Sequence, residues 1–220
     1  MKKRFMSFIM VMGLAVVSLF ANDYVTVSGV DSCEYHDHDT YEVWYDVAKK
    51  SPAVVIWDLT ASEALLSDSA SDRWKGTFFK CGSSAFHDDY TKSGYDRGHM
   101  CPNNDRDFTF EDGKATFKMC NVCPQTPKLN RGSWKKYEAY GHKLAARYKF
   151  ITIVCGPIYD GELSYIKGKV AIPTAFFKVF LYGKGKIEAY IFNQDGTFRE
   201  ASLSEVSSQS GLSFNITTTK

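Results

Sequence analysis

Tyr95-Asp96-Arg97-Gly98-His99-Met100 places a carboxylate, a guanidinium, a flexible joint and an imidazole in four consecutive positions, Asp96 to His99. Histidine is the side chain best suited to accept a proton near neutral pH. Arginine binds phosphate through a fork of donors, and a glycine between them lets the backbone approach a ligand closely. By itself the string also fits a polar loop with a surface histidine. Two stretches farther along the chain decide between these readings: Asn121-Val122-Cys123-Pro124-Gln125 and Leu129-Asn130-Arg131-Gly132-Ser133-Trp134-Lys135-Lys136-Tyr137-Glu138.

Working outward, residues 115–122 have strand character and residues 133–148 read as the clearest helix, with Trp134, Tyr137, Leu144 and Ala145 as its apolar contacts. Residues 53–57 and 150–154 read as buried strands, the second leaving sharply at Cys155-Gly156-Pro157. Residues 179–182 and 187–192 are expected to pair as a hairpin across Gly183-Lys184-Gly185-Lys186. Ser202 and Glu205 form a capping box for a last, structural helix that Gly211 stops. Residues 22–51 look irregular, residues 61–71 a loop around one helical turn, and residues 105–114 polar with a turn at 111–114. Within the first of these, His36-Asp37-His38-Asp39 reads as a solvated turn, with a metal clip as the less favoured alternative.

Residues 1–21 have a basic start, a short apolar core and a small residue, Ala21, before polar Asn22-Asp23, the pattern of a cleaved secretory signal peptide. The apolar core is short of the roughly 20 residues that a membrane helix needs. The chain carries 27 Lys plus Arg against 25 acids, and removing residues 1–21 takes away three bases and no acid, leaving 24 against 25. Such a balance excludes a strongly basic nucleic-acid binder, so any attraction to phosphate has to come from a local patch. The 199 residues that remain, in a chain 44% apolar, fit a single domain over residues 22–220.

All six cysteines, at 33, 81, 101, 120, 123 and 155, lie beyond residue 21. An even count in an exported chain predicts disulfides and few free thiols, with connectivity open. A zinc site built on Cys120-x-x-Cys123 is the weaker alternative, because no second close pair of ligands answers it in the sequence. If Cys120 and Cys123 share a strand they point to opposite faces and pair elsewhere.

Asp96-Arg97-Gly98-His99, the Asn121-x-x-Pro124-Gln125 string, and Asn130, Trp134 and Glu138 in Asn-x-x-x-Trp-x-x-x-Glu spacing together resemble the DNA/RNA non-specific endonucleases, the sugar-nonspecific branch of the ββα-metal nucleases. Gly156-Pro157 with Tyr159, and Pro173 with Phe176-Phe177-Lys178, are similar to further segments of that family; the resemblance runs over residues 51–177. It implies an α+β fold: a central, mainly antiparallel sheet with packed helices and a ββα-metal (His-Me finger) unit. It implies an exported, Mg²⁺-dependent endonuclease, with Mn²⁺ as a substitute, that hydrolyses DNA and RNA to 5′-phosphate products. His99 is then the general base that activates water, and Asn130 the direct protein ligand of the metal. Arg97 and Arg73, the latter in Asp72-Arg73-Trp74-Lys75, hold the phosphate. Arg131 and Asn121 contact substrate, Asn121 with Gln125 also fixing the loop, and Asp96 orients the backbone.

Glu138 lies eight residues beyond Asn130, ~12 Å along an unbroken helix and about 80° round it, so it acts through metal waters or by anchoring an arginine. A secreted or periplasmic location, no stable membrane association after cleavage, DNA and RNA as partners and an allowed homodimer complete the expectation. A non-catalytic nucleic-acid-binding protein on the same fold, or a disulfide-stabilised interaction protein, are the other classes. The intact catalytic string argues against the first, and the combined motif spacing against the second.

Overall fold

A computed structural model describes residues 25–69 and 72–217, so the signal-peptide segment and the cut after Ala21 lie outside the described residues. The centre is a seven-stranded sheet. Its strands are β2 (Glu34–Asp37), β3 (Glu42–Asp46), β4 (Ser51–Thr60), β7 (Phe150–Ile158), β10 (Ala175–Tyr182), β11 (Lys186–Asn193) and β12 (Phe198–Ala201). The spatial order is β12-β11-β10-β7-β4-β3-β2, with every neighbouring pair antiparallel. Side chains alternate between the two faces, as a pleated strand requires. Val55 and Trp57 of β4 enter one core with Phe176, Phe180 and Phe192, while Val54 and Ile56 enter the other with Phe177, Val179 and Ile191. Burial on both faces explains why the run Ala-Phe-Phe-Lys-Val-Phe-Leu-Tyr of β10 is so apolar.

One face is covered by α1 (Ala61–Ser69) and α4 (Lys135–Tyr148), the other by α5 (Leu203–Ser210) and by the separate pair β1 (Val25–Ser28) and β13 (Ser213–Ile216). Two short helices, α2 (Asn103–Arg106) and α3 (Phe110–Ala115), link β5 (Asp96–His99) to β6 (Val122–Gln125). A small hairpin, β8 (Ser164–Ile166) with β9 (Val170–Ile172), completes the strands. β5 and β6 pair antiparallel, Asp96 opposite Gln125 and His99 opposite Val122, and α4 comes next, which is the ββα order. Gly98 makes that pairing close: a Cβ there would overlap the Gln125 amide.

Several expectations are corrected. Residues 22–51 are not irregular, because Val43, Trp44 and Tyr45 of β3 are core residues and bring β2 with them. The loop at 61–71 and the polar stretch at 105–114 contain helices, one of them capped by Thr109, whose hydroxyl accepts from the Asp112 amide. β7 does not exit at Gly156 but runs on to Ile158, since Gly156 lets the Ala53 carbonyl and the Phe177 ring pack where a Cβ would stand. Residues 115–122 are not a strand; a tight turn over Met119–Asn121 precedes β6.

The six cysteines do not make three bridges. Cys81 and Cys120 are in disulfide contact with Cα atoms 5.6 Å apart, and Cys33, Cys101, Cys123 and Cys155 are free. Cys101, Cys123 and Cys155 are core members, and burial pushes the Cys155 thiol up to about 12. Among the described residues no helix is long and apolar enough to cross a membrane.

Candidate active site

A cavity of about 450 Å³ opens where the end of β5, α2 and the start of α4 meet. It gathers Arg73, His99, Asn130, Arg131 and Glu138. Arg73 and residues of the first and last motifs thus converge on one concave surface although they are spread over more than sixty positions.

His99 sits between aromatic rings, its centroid 4.9 Å from both Phe78 and Phe117. Its Nε2 is buried without a hydrogen-bond partner among the described residues, and burial lowers its pKa to about 4. The imidazole is therefore neutral at physiological pH and has a lone pair to offer. Trp134, fully buried against Phe176 and Phe192, donates its indole N–H to the His99 carbonyl at 3.0 Å. This bond fixes the strand that bears the imidazole to the start of α4.

Asn130 lies in a wide helical turn, Leu129–Trp134, that Gly132 interrupts with φ −107° and ψ −109° before α4 begins. The unbroken helix assumed between Asn130 and Glu138 is thus interrupted, and both residues line the same cavity. Asn130 Nδ2 donates to Asp96 Oδ2 at 3.0 Å, and Arg131 grips the same carboxylate through Nε at 2.8 Å and Nη2 at 2.7 Å. The Arg131 hydrogen bond and then that of Asn130 hold the Asp96 carboxyl below its usual range against the cost of burial. Asp96 thus orients two side chains rather than backbone alone.

Glu138 is half-buried, and burial pushes its carboxyl up to about 7 despite the ammonium of Lys178, itself buried with Nζ 3.9 Å from the Trp134 ring centroid. Arg73 reaches the cavity with its guanidinium anchored on Asp107 at 2.5 Å, Asn104 Oδ1 at 3.1 Å and the Ser67 carbonyl at 2.5 Å.

Two expected contacts are not placed at the cavity. Arg97 donates to the His87 carbonyl at 2.7 and 3.2 Å and to Thr91 at 3.1 Å, so its guanidinium braces the preceding turn. Asn121 is fully buried: its Oδ1 accepts from the Cys101 amide, and its Nδ2 donates to the Cys101 and Thr116 carbonyls. All its polar atoms are committed inside the protein, so it fixes the loop and does not contact substrate.

The cavity also takes in Asn104 and Lys135, which the motif reading passes over. Asn104 lies five positions after His99 in a polar run, and Lys135 lies inside the Asn130–Glu138 motif; the sequence signal for either is there. Asp105 ties the floor together, accepting from Trp57 Nε1 at 2.8 Å and lying 2.9 Å from His142 Nε2.

The sequence model of the DNA/RNA non-specific endonucleases matches residues 21–219. The chain belongs to this family. Its relatives include a nuclease of Nostoc sp., 46% identical over 91 residues, covering 41% of this chain and 32% of that protein. Human mitochondrial nuclease EXOG is 29% identical over 219 residues, covering 86% of this chain and 58% of the relative. The chain thus spans about a third to somewhat over half of the length of these two curated relatives. A solved structure of EndoG with EndoGI superposes with a TM-score of 0.71 at 27% identity, covering 81% of this chain and 84% of that one.

A divalent cation of the kind this nuclease family uses fits the residues present. Asn130 is held by its amide nitrogen, while its Oδ1 has no partner among the described residues. An amide oxygen is a hard donor, suited to an ion that keeps several waters, and the Glu138 carboxyl lines the same cavity.

Proposed function

We propose that this chain is an exported endonuclease that hydrolyses phosphodiester bonds of DNA and RNA with Mg²⁺, or Mn²⁺ in its place, leaving 5′-phosphate ends. The observation that carries this reading is the convergence of His99, Asn130, Glu138 and Arg73 on one cavity. Asn130 Oδ1 would hold the ion, which would supply positive charge to the phosphate as negative charge develops on it.

His99, neutral and walled by Phe78 and Phe117, accepts the proton of the attacking water. Arg73 is held rigid by Asp107 and Asn104, so its charge meets the developing negative charge of the phosphate without reorganisation. Glu138 orders water in the cavity, and Lys135 and Arg131 at its rim attract the polyanion. The pattern of residues 1–21 supports export to a periplasmic or extracellular space.

Digestion of plasmid DNA and of RNA, each with and without EDTA, tests the reading. Cleavage of both substrates that stops on chelation is expected. Binding without cleavage in the presence of Mg²⁺ would favour the non-catalytic alternative.

A further inference from the structure

At the β2 edge of the sheet, His36 and, just beyond the strand, His38 face the two sulfurs of Cys81 and Cys120. His38 Nε2 is 3.4 Å from Cys120 Sγ and 3.9 Å from Cys81 Sγ, and His36 Nδ1 is 3.7 Å from Cys81 Sγ. We propose that these four residues form a closed Cys2His2 site for zinc, available when the two cysteines are thiols and excluded when they are joined as a disulfide.

The nitrogen-to-sulfur distances are those of such a site. With Zn–S near 2.3 Å and Zn–N near 2.0–2.1 Å, the nitrogen-to-sulfur edges of a tetrahedron are about 3.6 Å. Each imidazole therefore already stands at ligand spacing from a sulfur; the sulfurs must part to about 3.8 Å, and the two rings, whose centroids are 5.9 Å apart, must close on each other.

The surroundings suit a metal. His36 Nε2 faces Glu34 Oε1 at 3.6 Å, so the ring lies between a carboxylate and the ligand position, an arrangement that raises the basicity of a metal-bound imidazole. Gly82, at φ +49°, lets the Cys81 turn close over this pair, because a Cβ there would collide with the Glu34 carboxylate and the His36 ring. Ser83 donates its amide to the other Glu34 oxygen at 3.2 Å, and Ser84 Oγ accepts from the Cys81 amide at 3.0 Å. Lys118 Nζ lies 2.9 Å from His38 Nδ1, so an ion at Nε2 moves the ring proton to Nδ1 and turns Lys118 toward Asp39.

Soft sulfur and imidazole donors favour zinc over magnesium, which sets this site apart from the oxygen donors of the cavity. Four protein ligands leave no open position, so its role is structural. The ion holds the turn that comes after Phe78, and hence the ring that walls His99. Binding exchanges two thiol protons for the ion. Reaching the thiols from the disulfide takes one equivalent of a phosphine, which becomes its oxide with oxygen from water.

The test uses the full chain, reduced with a phosphine without air, in excess Mg²⁺, and titrated with Co²⁺. Thiolate charge-transfer and tetrahedral ligand-field bands that saturate at about one ion per chain and are displaced by Zn²⁺ are expected. His36→Ala and His38→Ala, which leave the cysteines in place, should each remove the saturable bands, and Glu34→Gln should weaken binding about 10–100-fold. The unreduced chain should show no bands. Absence of a thiolate band in the reduced chain, or unchanged bands in both histidine variants, overturns the proposal.

Discussion

The indole N–H of Trp134 is bonded to the carbonyl of His99 at 3.0 Å, thirty-five residues away in sequence. This one bond makes the pose of the imidazole depend on how the start of α4 packs. Trp134→Phe keeps most of the apolar fill but orphans that carbonyl, a loss of about 1–3 kcal/mol if water cannot replace the donor. The expected outcome is a modestly lowered denaturation midpoint with a larger fall in kcat than in substrate binding. A variant that lost stability but kept wild-type kcat would show that the bond does not position His99.

His99→Ala should remove about 10²–10⁴ in rate, the usual contribution of a general base, with the fold kept as read by circular dichroism. Burial sets the pH profile. The folded-state pKa of His99 is lowered from 6.5 to about 4, so the neutral base persists well below pH 6.5. The acid limb of activity that belongs to this residue should lie near 4, rather than at the unperturbed midpoint of ~6.5. Stability takes the same direction: the unfolded chain binds this proton first, so its contribution is full above pH 6.5 and is lost as pH falls toward 4. An acid limb at 6.5 that vanished in His99→Ala would contradict this assignment.

Asn130→Ala should raise the Mg²⁺ concentration needed for cleavage sharply or abolish cleavage, since it removes the one amide oxygen that Asp96 turns into position. Glu138→Ala should cost less, about 10–100-fold, if the carboxylate acts through water. Asn130→Asp holds a cation more tightly but opposes the incoming phosphate and the neighbouring Asp96, so restored metal binding without restored rate is expected. Isothermal titration with Mg²⁺ beside initial rates separates the two effects. Equal losses for Asn130→Ala and Glu138→Ala in metal binding would place both carboxamide and carboxylate on the ion.

Asn121→Ala should act on stability and leave KM alone. It strands the Cys101 amide and the Cys101 and Thr116 carbonyls inside the protein, at about 1–3 kcal/mol for each group left unpaired. Urea denaturation and KM measured at a temperature where the variant is folded check this. A raised KM with unchanged stability would restore Asn121 to the substrate surface.

The site is more legible in the sequence than its frame. His99, Asn130 and Glu138 can be read because each occupies a motif of short spacing, and the loop or turn that displays them is local. Arg97 cannot be placed the same way because a guanidinium is long: its position on β5 says nothing of whether it reaches the cavity or, as here, the His87 carbonyl. The Asn130–Glu138 relation cannot be read as one unbroken helix, because one residue, Gly132, leaves the helical region of backbone space between them. The strand at 34–37 is hidden since polar residues such as Glu34, His36 and Asp37 face solvent or one another at the sheet edge, which masks any apolar alternation. His36 and His38 likewise read as a solvated turn, because their neighbours Cys81 and Cys120 arrive from more than forty positions away.

The pairing of β1 with β13, Val25 opposite Ile216 and Ser28 opposite Ser213, bears on the order of events as the chain folds. A contact across nearly the whole sequence carries a high loop-closure cost until everything between is already compact. This clasp is therefore a late step. During synthesis, β1 waits without its hydrogen-bonding partner, its Val25 and Val27 uncovered, until β13 emerges. That interval is when the nascent chain is most exposed to pairing with another copy of itself, and when a chaperone that shields a single short edge would do the most good.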